Sequence, residues 1–178
     1  GRTIGKEVAD RLGIPCYDHE LIDRLAEESG LSKEYITNES EYASHSSWTA
    51  AAFSSVRSFG VPSNQDYLWA IQRRIILELG QKENCVIVGR CATNILKDKS
   101  LKIFIHAPFE ERVQNVIRRT GREEASARKL VKKMDKERKA YYEYFTDSKW
   151  LDMTQYDLCI DSSRFSMEQI IEIVKRCL

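Results

Sequence analysis

The chain has 178 residues, 42% of them hydrophobic and 31% charged, enough to build the core of one soluble domain spanning 1–178. A net charge of +1 gives no bulk attraction to nucleic acid or to an anionic membrane surface, so neither is expected as a partner. No apolar run approaches the roughly 18–20 residues of a membrane helix, and no secretory leader is visible.

The chain opens on Gly1-Arg2-Thr3-Ile4-Gly5-Lys6, a glycine turn that runs straight into a helix carrying Ile4, Val8 and Leu12 on one stripe. A globular domain seldom starts inside such a turn, so a further strand is expected upstream of it. The helix ends at Gly13, and residues 14–17 make a brief strand. Asp18 is placed to cap a second helix with Leu21, Ile22, Leu25 and Ala26, closed by Gly30. A short helix is predicted at 33–38. Residues 40–64 hold eight serines, Trp48, Phe53, Gly60 and Pro62, and read as an insertion or flap.

Tyr67, Leu68, Ile71, Ile75, Ile76 and Leu79 then mark a strong helix ending at Gly80. Two apolar runs, 85–89 and 101–105, read as parallel strands. Helices at 109–120 and 123–145, a strand at 156–160 and a helix from Ser166 complete the order. Strands alternating with helices call for an α/β fold with a parallel sheet covered on both faces. Ligands of such sheets gather beyond the carboxyl ends of the strands.

The opening loop lies at that edge and offers backbone N–H groups and a helix dipole to a phosphate, although an ordinary glycine turn has the same sequence. Glu7 follows Lys6 where a phosphate-loop pattern needs Ser or Thr, so Thr3 is the better hydroxyl for a Mg²⁺ ion and Arg2 the nearest cation for a phosphate. Gly89-Arg90 follows directly on a strand at the same edge. A cation there needs an anion, which is either a ligand or a local carboxylate. Tyr17-Asp18 also ends a strand at this edge, with helix capping as the plain alternative for Asp18.

Between Glu110 and Lys139 eleven Lys/Arg stand against six acids, a local charge of +5. Such a run is often only a solvated helical face. Here the arginines bracket a Thr120-Gly121 turn between two helices, as a hinged lid would. Asp135 and Arg138, at i, i+3, can pair on one face. The five cysteines are odd in number and lack any CxxC pair. Cys16, Cys85 and Cys159 sit among apolar residues and are expected as buried thiols in a reducing cytoplasm. His19, His45 and His106 lack metal-ligand spacing.

Taken in order, five segments resemble the cytidylate kinase-like family of P-loop nucleoside monophosphate kinases. They are Gly1–Asp18, Val86-Ile87-Val88-Gly89-Arg90, Lys102–Arg112, Asp135-Lys136-Glu137-Arg138 with Tyr141-Tyr142, and Tyr156-Asp157-Leu158-Cys159-Ile160-Asp161 leading to Gln169-Ile170-Ile171. The resemblance implies a three-layer α/β/α P-loop fold, its first strand missing from this chain, with a flap at about 40–64 and a helical lid at about 109–145. It implies an ATP-dependent phosphotransferase that uses Mg²⁺ and takes CMP, dCMP or a related nucleoside monophosphate as acceptor.

By the same resemblance, Gly1, Arg2, Thr3, Ile4 and Gly5 hold the ATP phosphates and Thr3 the metal. Tyr17, Asp18, Arg90, Arg119 and Asp135 serve the acceptor, while Arg2, Arg90, Arg122 and Arg138 act on the transferring group. Two positions depart from the family pattern: Arg2 stands where a lysine precedes the Gly-Thr of the loop, and Cys91 stands where an aspartate that helps read cytosine follows Gly-Arg. A nucleotide-binding module of the same fold without transfer activity is the alternative.

Overall fold

Apolar spacing in the sequence becomes helix faces in the structure, a computed structural model that describes residues 1–18, 20–32, 36 and 64–178. The short helix expected at 33–38, apart from Ile36, and the flap expected at 40–64, apart from Asn64, lie outside the described residues. So do His19 and His45. Helix α1 spans Arg2–Leu12, followed by strand β1 (Cys16–Tyr17) and helix α2 (Glu20–Ser29). Helix α3 (Asn64–Lys82) leads to β2 (Val86–Ile87) and the short α4 (Ala92–Leu96). Then come β3 (Ile103–His106), α5 (Phe109–Thr120), α6 (Glu124–Thr146), β4 (Leu158–Asp161) and α7 (Met167–Lys175). No described helix is long and apolar enough to cross a membrane.

The strands are parallel, as expected, but the described ones form two separate pairs rather than one sheet: β1 with β2, and β3 with β4. The registers are Cys16 opposite Val86 and Ile103 opposite Leu158. The run at 85–89 yields only two strand residues, because Val88 N–H bonds the Tyr17 carbonyl and the chain then turns at Gly89. Helix α1 touches both β1 and β2 on one side and α7 on the other. Its residues Ile4, Val8 and Leu12 share a core with Val86, Ile103, Ile105, Leu158, Ile160, Ile170, Ile171 and Val174. That core fixes where the N-terminus of α1 points.

A second core joins α2, α3 and α4 through Leu21, Leu25, Ile71, Ile75, Ile76 and Ile95. Helix α3 does not stop at Gly80 but runs on to Lys82. Glycine serves there because an added Cβ would sit 2.8 Å from Leu96 Cδ2 on α4. A third core unites α6 with α3 and α4, with Tyr141, Tyr142, Trp69 and Phe145 around Cys91. Helices α5 and α6 close a small core of their own on Val113, Ala127 and Val131, and Gly121 at φ 65° makes the turn between them.

The cysteine expectation fails in detail. Cys16 and Cys85 are half-buried and Cys159 is exposed, whereas Cys91 is buried. Cys159 sits one residue out of phase with Leu158 and Ile160, so strand alternation turns it away from the core they enter. Helix α7 begins as expected, with a capping box in which Ser166 Oγ accepts from Gln169 N–H and Gln169 Oε1 accepts from Ser166 N–H.

Close approach of α1 to β2 is the contact that aims the opening loop. A Cβ at Gly5 would lie 2.9 Å from Val88 Cγ2 and 3.6 Å from Val86 Cγ1. Gly5→Val is therefore expected to destabilise the fold by about 1–3 kcal/mol through overpacking. A denaturant midpoint equal to that of the unsubstituted chain would contradict this.

Candidate functional site

Gly1 is the N-cap of helix α1 and its carbonyl accepts the Gly5 N–H at 2.8 Å, so the first-turn N–H groups without an intrahelical partner lie at Arg2–Ile4. Thr3 is exposed beside them. Arg2 Nε stands 2.5 Å from Asp18 Oδ2, bridging the loop to the end of β1. Asp18 thus engages the loop arginine. Tyr17, the other residue of that strand end, donates its hydroxyl to Glu83 Oε1 at 2.7 Å and packs against the α2–α3 core.

Two arginines of the α5–α6 hairpin come near the same place. Arg138 and Arg119 lie near enough to Gly1 to act on it electrostatically. Arg138 lies in α6 and Arg119 at the end of α5, so the α5–α6 hairpin presents two cations to the N-terminus of α1. Positive groups and a positive helix end share this space, and an anion would relieve the repulsion. Arg122 sits exposed on the link between α5 and α6 and makes no ion pair with a described residue.

Asp135 does something other than expected. It accepts both hydrogen bonds, 2.6 and 2.8 Å, from Arg112 Nη1 on α5, not a pairing read from its i, i+3 spacing to Arg138. Packing of α5 on α6 brings Arg112 opposite Asp135, a juxtaposition that spacing along one helix does not contain. Arg128 likewise bonds Glu110 at 2.9 and 2.6 Å and Glu124 at 2.9 Å. Arg112, Arg128 and Lys132 also lie 5.7–5.9 Å from the centre of the Phe109 ring. Part of the basic run therefore holds the hairpin together, and Arg119 and Arg138 are the part that faces α1.

Arg90 is the unusual residue. It is 3% exposed, and its Nη1 has no hydrogen-bond partner among the described residues. Burying a guanidinium without a full set of acceptors costs several kcal/mol by order of magnitude. The backbone there is strained as well, with Gly89, Arg90 and Cys91 at φ 70°, 56° and 55° in succession. Non-glycine residues in the left-handed region cost about 1–3 kcal/mol each and persist where the surroundings impose them. The Arg90 carbonyl accepts from Gln72 Nε2 at 3.2 Å, and Gln72 Oε1 accepts from the Tyr141 hydroxyl at 3.2 Å.

Gln72 and Arg112 are not among the residues singled out from the sequence. A signal for Gln72 was present: 68, 71, 72, 75, 76 and 79 make one helical stripe, so an amide at 72 had to be buried. Phosphate fits Arg90, whose buried Nη1 has no hydrogen-bond partner among the described residues. No group of three or more His, Cys, Asp or Glu side chains that could hold a metal occurs among the described residues. A Mg²⁺ ion at Thr3 would draw its other ligands from phosphate oxygens and water.

A family model described as the cytidylate kinase-like family matches residues 1–164. The chain is 27% identical over 179 residues to a cytidylate kinase of Pyrococcus horikoshii, covering 99% of this chain and 81% of that one. It is also 27% identical over 187 residues to a cytidylate kinase of Methanopyrus kandleri, covering 99% and 86%. Among solved structures, an uncharacterized protein from Eubacterium ventriosum superposes with a TM-score of 0.73 at 28% identity, covering 99% of this chain and 90% of that one.

The Tyr17–Glu83 contact has a pH signature. The hydrogen bond to Glu83, followed by desolvation, raises the Tyr17 pKa from 10.0 to about 12. The folded state then holds the proton more tightly than the unfolded chain, so this contribution is complete below about pH 10 and lost as pH rises towards 12. Phenolate absorbance should show Tyr17 ionising late, and Glu83→Gln should bring it back towards the usual tyrosine range. A tyrosine titration identical in the two proteins would refute the assignment.

Proposed function

The chain belongs to the cytidylate kinase-like family, and from that premise we propose that it is an ATP-dependent nucleoside monophosphate kinase acting on CMP, dCMP or a related acceptor. The reading treats 1–178 as one three-layer P-loop domain with the α5–α6 hairpin as its lid. The observation that carries it is Arg90, a buried, strained cation with an unpartnered Nη1 beyond the end of β2. A group kept at such cost is accounted for by an anion that arrives from outside, and an acceptor phosphate is that anion.

On this reading the first-turn amides of α1 (Gly1 to Gly5) and Arg2 bind the β- and γ-phosphates of ATP, and the Thr3 hydroxyl meets the Mg²⁺ ion. Held there, such an ion would supply charge neutralisation to the phosphates. Arg90 holds the acceptor phosphate in line, with Tyr17 and Asp18 lining the acceptor side. Arg119, Arg122 and Arg138 bring positive charge over the transferring group as the hairpin closes and excludes water. Asp135 acts at one remove, by fixing Arg112 and hence the hairpin. No general base is required, because a phosphate oxygen is already a nucleophile and positioning supplies most of the rate.

The Arg2–Asp18 pair favours a second reading, a nucleotide-binding module without transfer. Arg2 replaces the family's loop lysine and has to leave Asp18 before it can hold a phosphate. An assay with ATP across a panel of nucleoside monophosphates separates the two, since binding without turnover of any acceptor supports the module. For the kinase, Arg90→Ala should lower phosphoryl transfer by about 10²–10³-fold while circular dichroism and the thermal midpoint stay close to those of the parent. Transfer at the parental rate in that variant would refute the role given to Arg90.

A further inference from the structure

We propose that Gln72 is a positioning residue, which with Tyr141 forms a buried relay from helix α6 to the peptide that carries Arg90. The proposal rests on the acceptor role given to Arg90 above. Gln72 is 3% exposed and sits in the apolar stripe of α3, where a leucine would otherwise fill the space. A buried primary amide is costly unless both of its ends are satisfied. Here its NH₂ donates to the Arg90 carbonyl and its oxygen accepts from Tyr141, both at 3.2 Å.

The carbonyl it grips lies in the middle of the left-handed run Gly89-Arg90-Cys91. A strained turn holds its shape only if its peptide planes are fixed from outside. The Ala92 N–H fixes the first plane by bonding the Gly89 carbonyl at 3.0 Å, and Gln72 fixes the next. The Arg90 guanidinium stands at the end of a long side chain, so a modest tilt of that plane displaces it by about 1 Å. A displacement of that size at a reacting phosphate costs up to about a hundredfold in rate.

Tyr141 supplies the other end. Its ring packs edge-on against Phe145 at 4.9 Å, and Phe145 stacks on Trp69 of α3 at 4.4 Å and 12°. The ring is thereby locked and the hydroxyl aimed at Gln72. Tyr141 follows Arg138 by three residues on α6 and so shares its side of that helix. One hydrogen-bonded line thus joins the helix that carries the lid arginine to the residue that holds the acceptor.

Gln72→Met keeps length and volume while removing both polar ends, and Tyr141→Phe keeps the ring packing while removing the hydroxyl. In Gln72→Met the KM for the nucleoside monophosphate should rise about tenfold while the KM for ATP stays within about twofold. Amide hydrogen exchange at Ala92, Asn94 and Ile95 should quicken in the same variant. Tyr141→Phe should shift the acceptor KM in the same direction, and the double variant should be no worse than Gln72→Met, as members of one line are not additive.

Equal changes in the two KM values, an unmoved acceptor KM, or unchanged exchange at the turn would each overturn the proposal and leave Gln72 a packing residue. Should Gln72→Met fail to fold, the acceptor-to-donor split in Tyr141→Phe decides the matter in the same way. Absence of transfer by the unsubstituted chain to any acceptor would instead count against the kinase reading, and the exchange measurement would still report whether Gln72 holds the turn.

Discussion

The arrangement of this molecule turns on one buried guanidinium. Arg90 stands beyond the short strand β2 with its backbone in the left-handed region and its Nη1 without a hydrogen-bond partner. Three elements are needed to keep it there. The β1–β2 ladder ends at the Val88 N–H, helix α4 starts at Ala92 immediately after the turn, and Gln72 on α3 holds the carbonyl. Marginal stability makes such a combination informative, because a fold with a few kcal/mol to spare keeps strain and an uncompensated charge only where they serve something.

The basic hairpin divides its charges between two tasks. Arg112 and Arg128 are spent on Asp135, Glu110 and Glu124, which align α5 and α6 over the small core of Val113, Ala127 and Val131. Arg119 and Arg138 lie near Gly1, at the start of α1. The hairpin thus has its own core and its own ion pairs. The paired charges are therefore part of how the facing charges are presented.

Two positions singled out in the sequence, Arg2 and Cys91, acquire a structural setting. Arg2 pairs with Asp18, so the cation at the start of α1 and a carboxylate just beyond β1 neutralise each other. Cys91 is buried in an aromatic cluster with Tyr141, Tyr142, Trp69 and Phe145. An aspartate in those surroundings would meet a steep desolvation cost, whereas a thiol packs there as a small apolar group.

The sequence by itself determined which segments become helices, because apolar residues at three- and four-residue spacing admit one partner face, and glycines such as Gly121 stop the helix where φ turns positive. It also led to the expectation that Arg2, Asp18 and Arg90 share one edge, since the carboxyl ends of parallel strands and the helix starts that follow them lie together. It identified the family from the order of short motifs. It did not determine which charges pair. Asp135 met Arg112 and not the neighbour its spacing offered, Cys159 pointed out where its apolar flanks suggested burial, and α3 ran through Gly80, a glycine that makes room for Leu96 and does not stop the helix. Nor did it join Gln72, Tyr141 and the Arg90 carbonyl, which are 69 residues apart at the extremes. Those outcomes were decided by tertiary packing, for a physical reason: periodicity acts along one element, whereas ion pairs, buried amides and close approaches are settled between elements, where only the folded chain brings the partners within hydrogen-bonding distance.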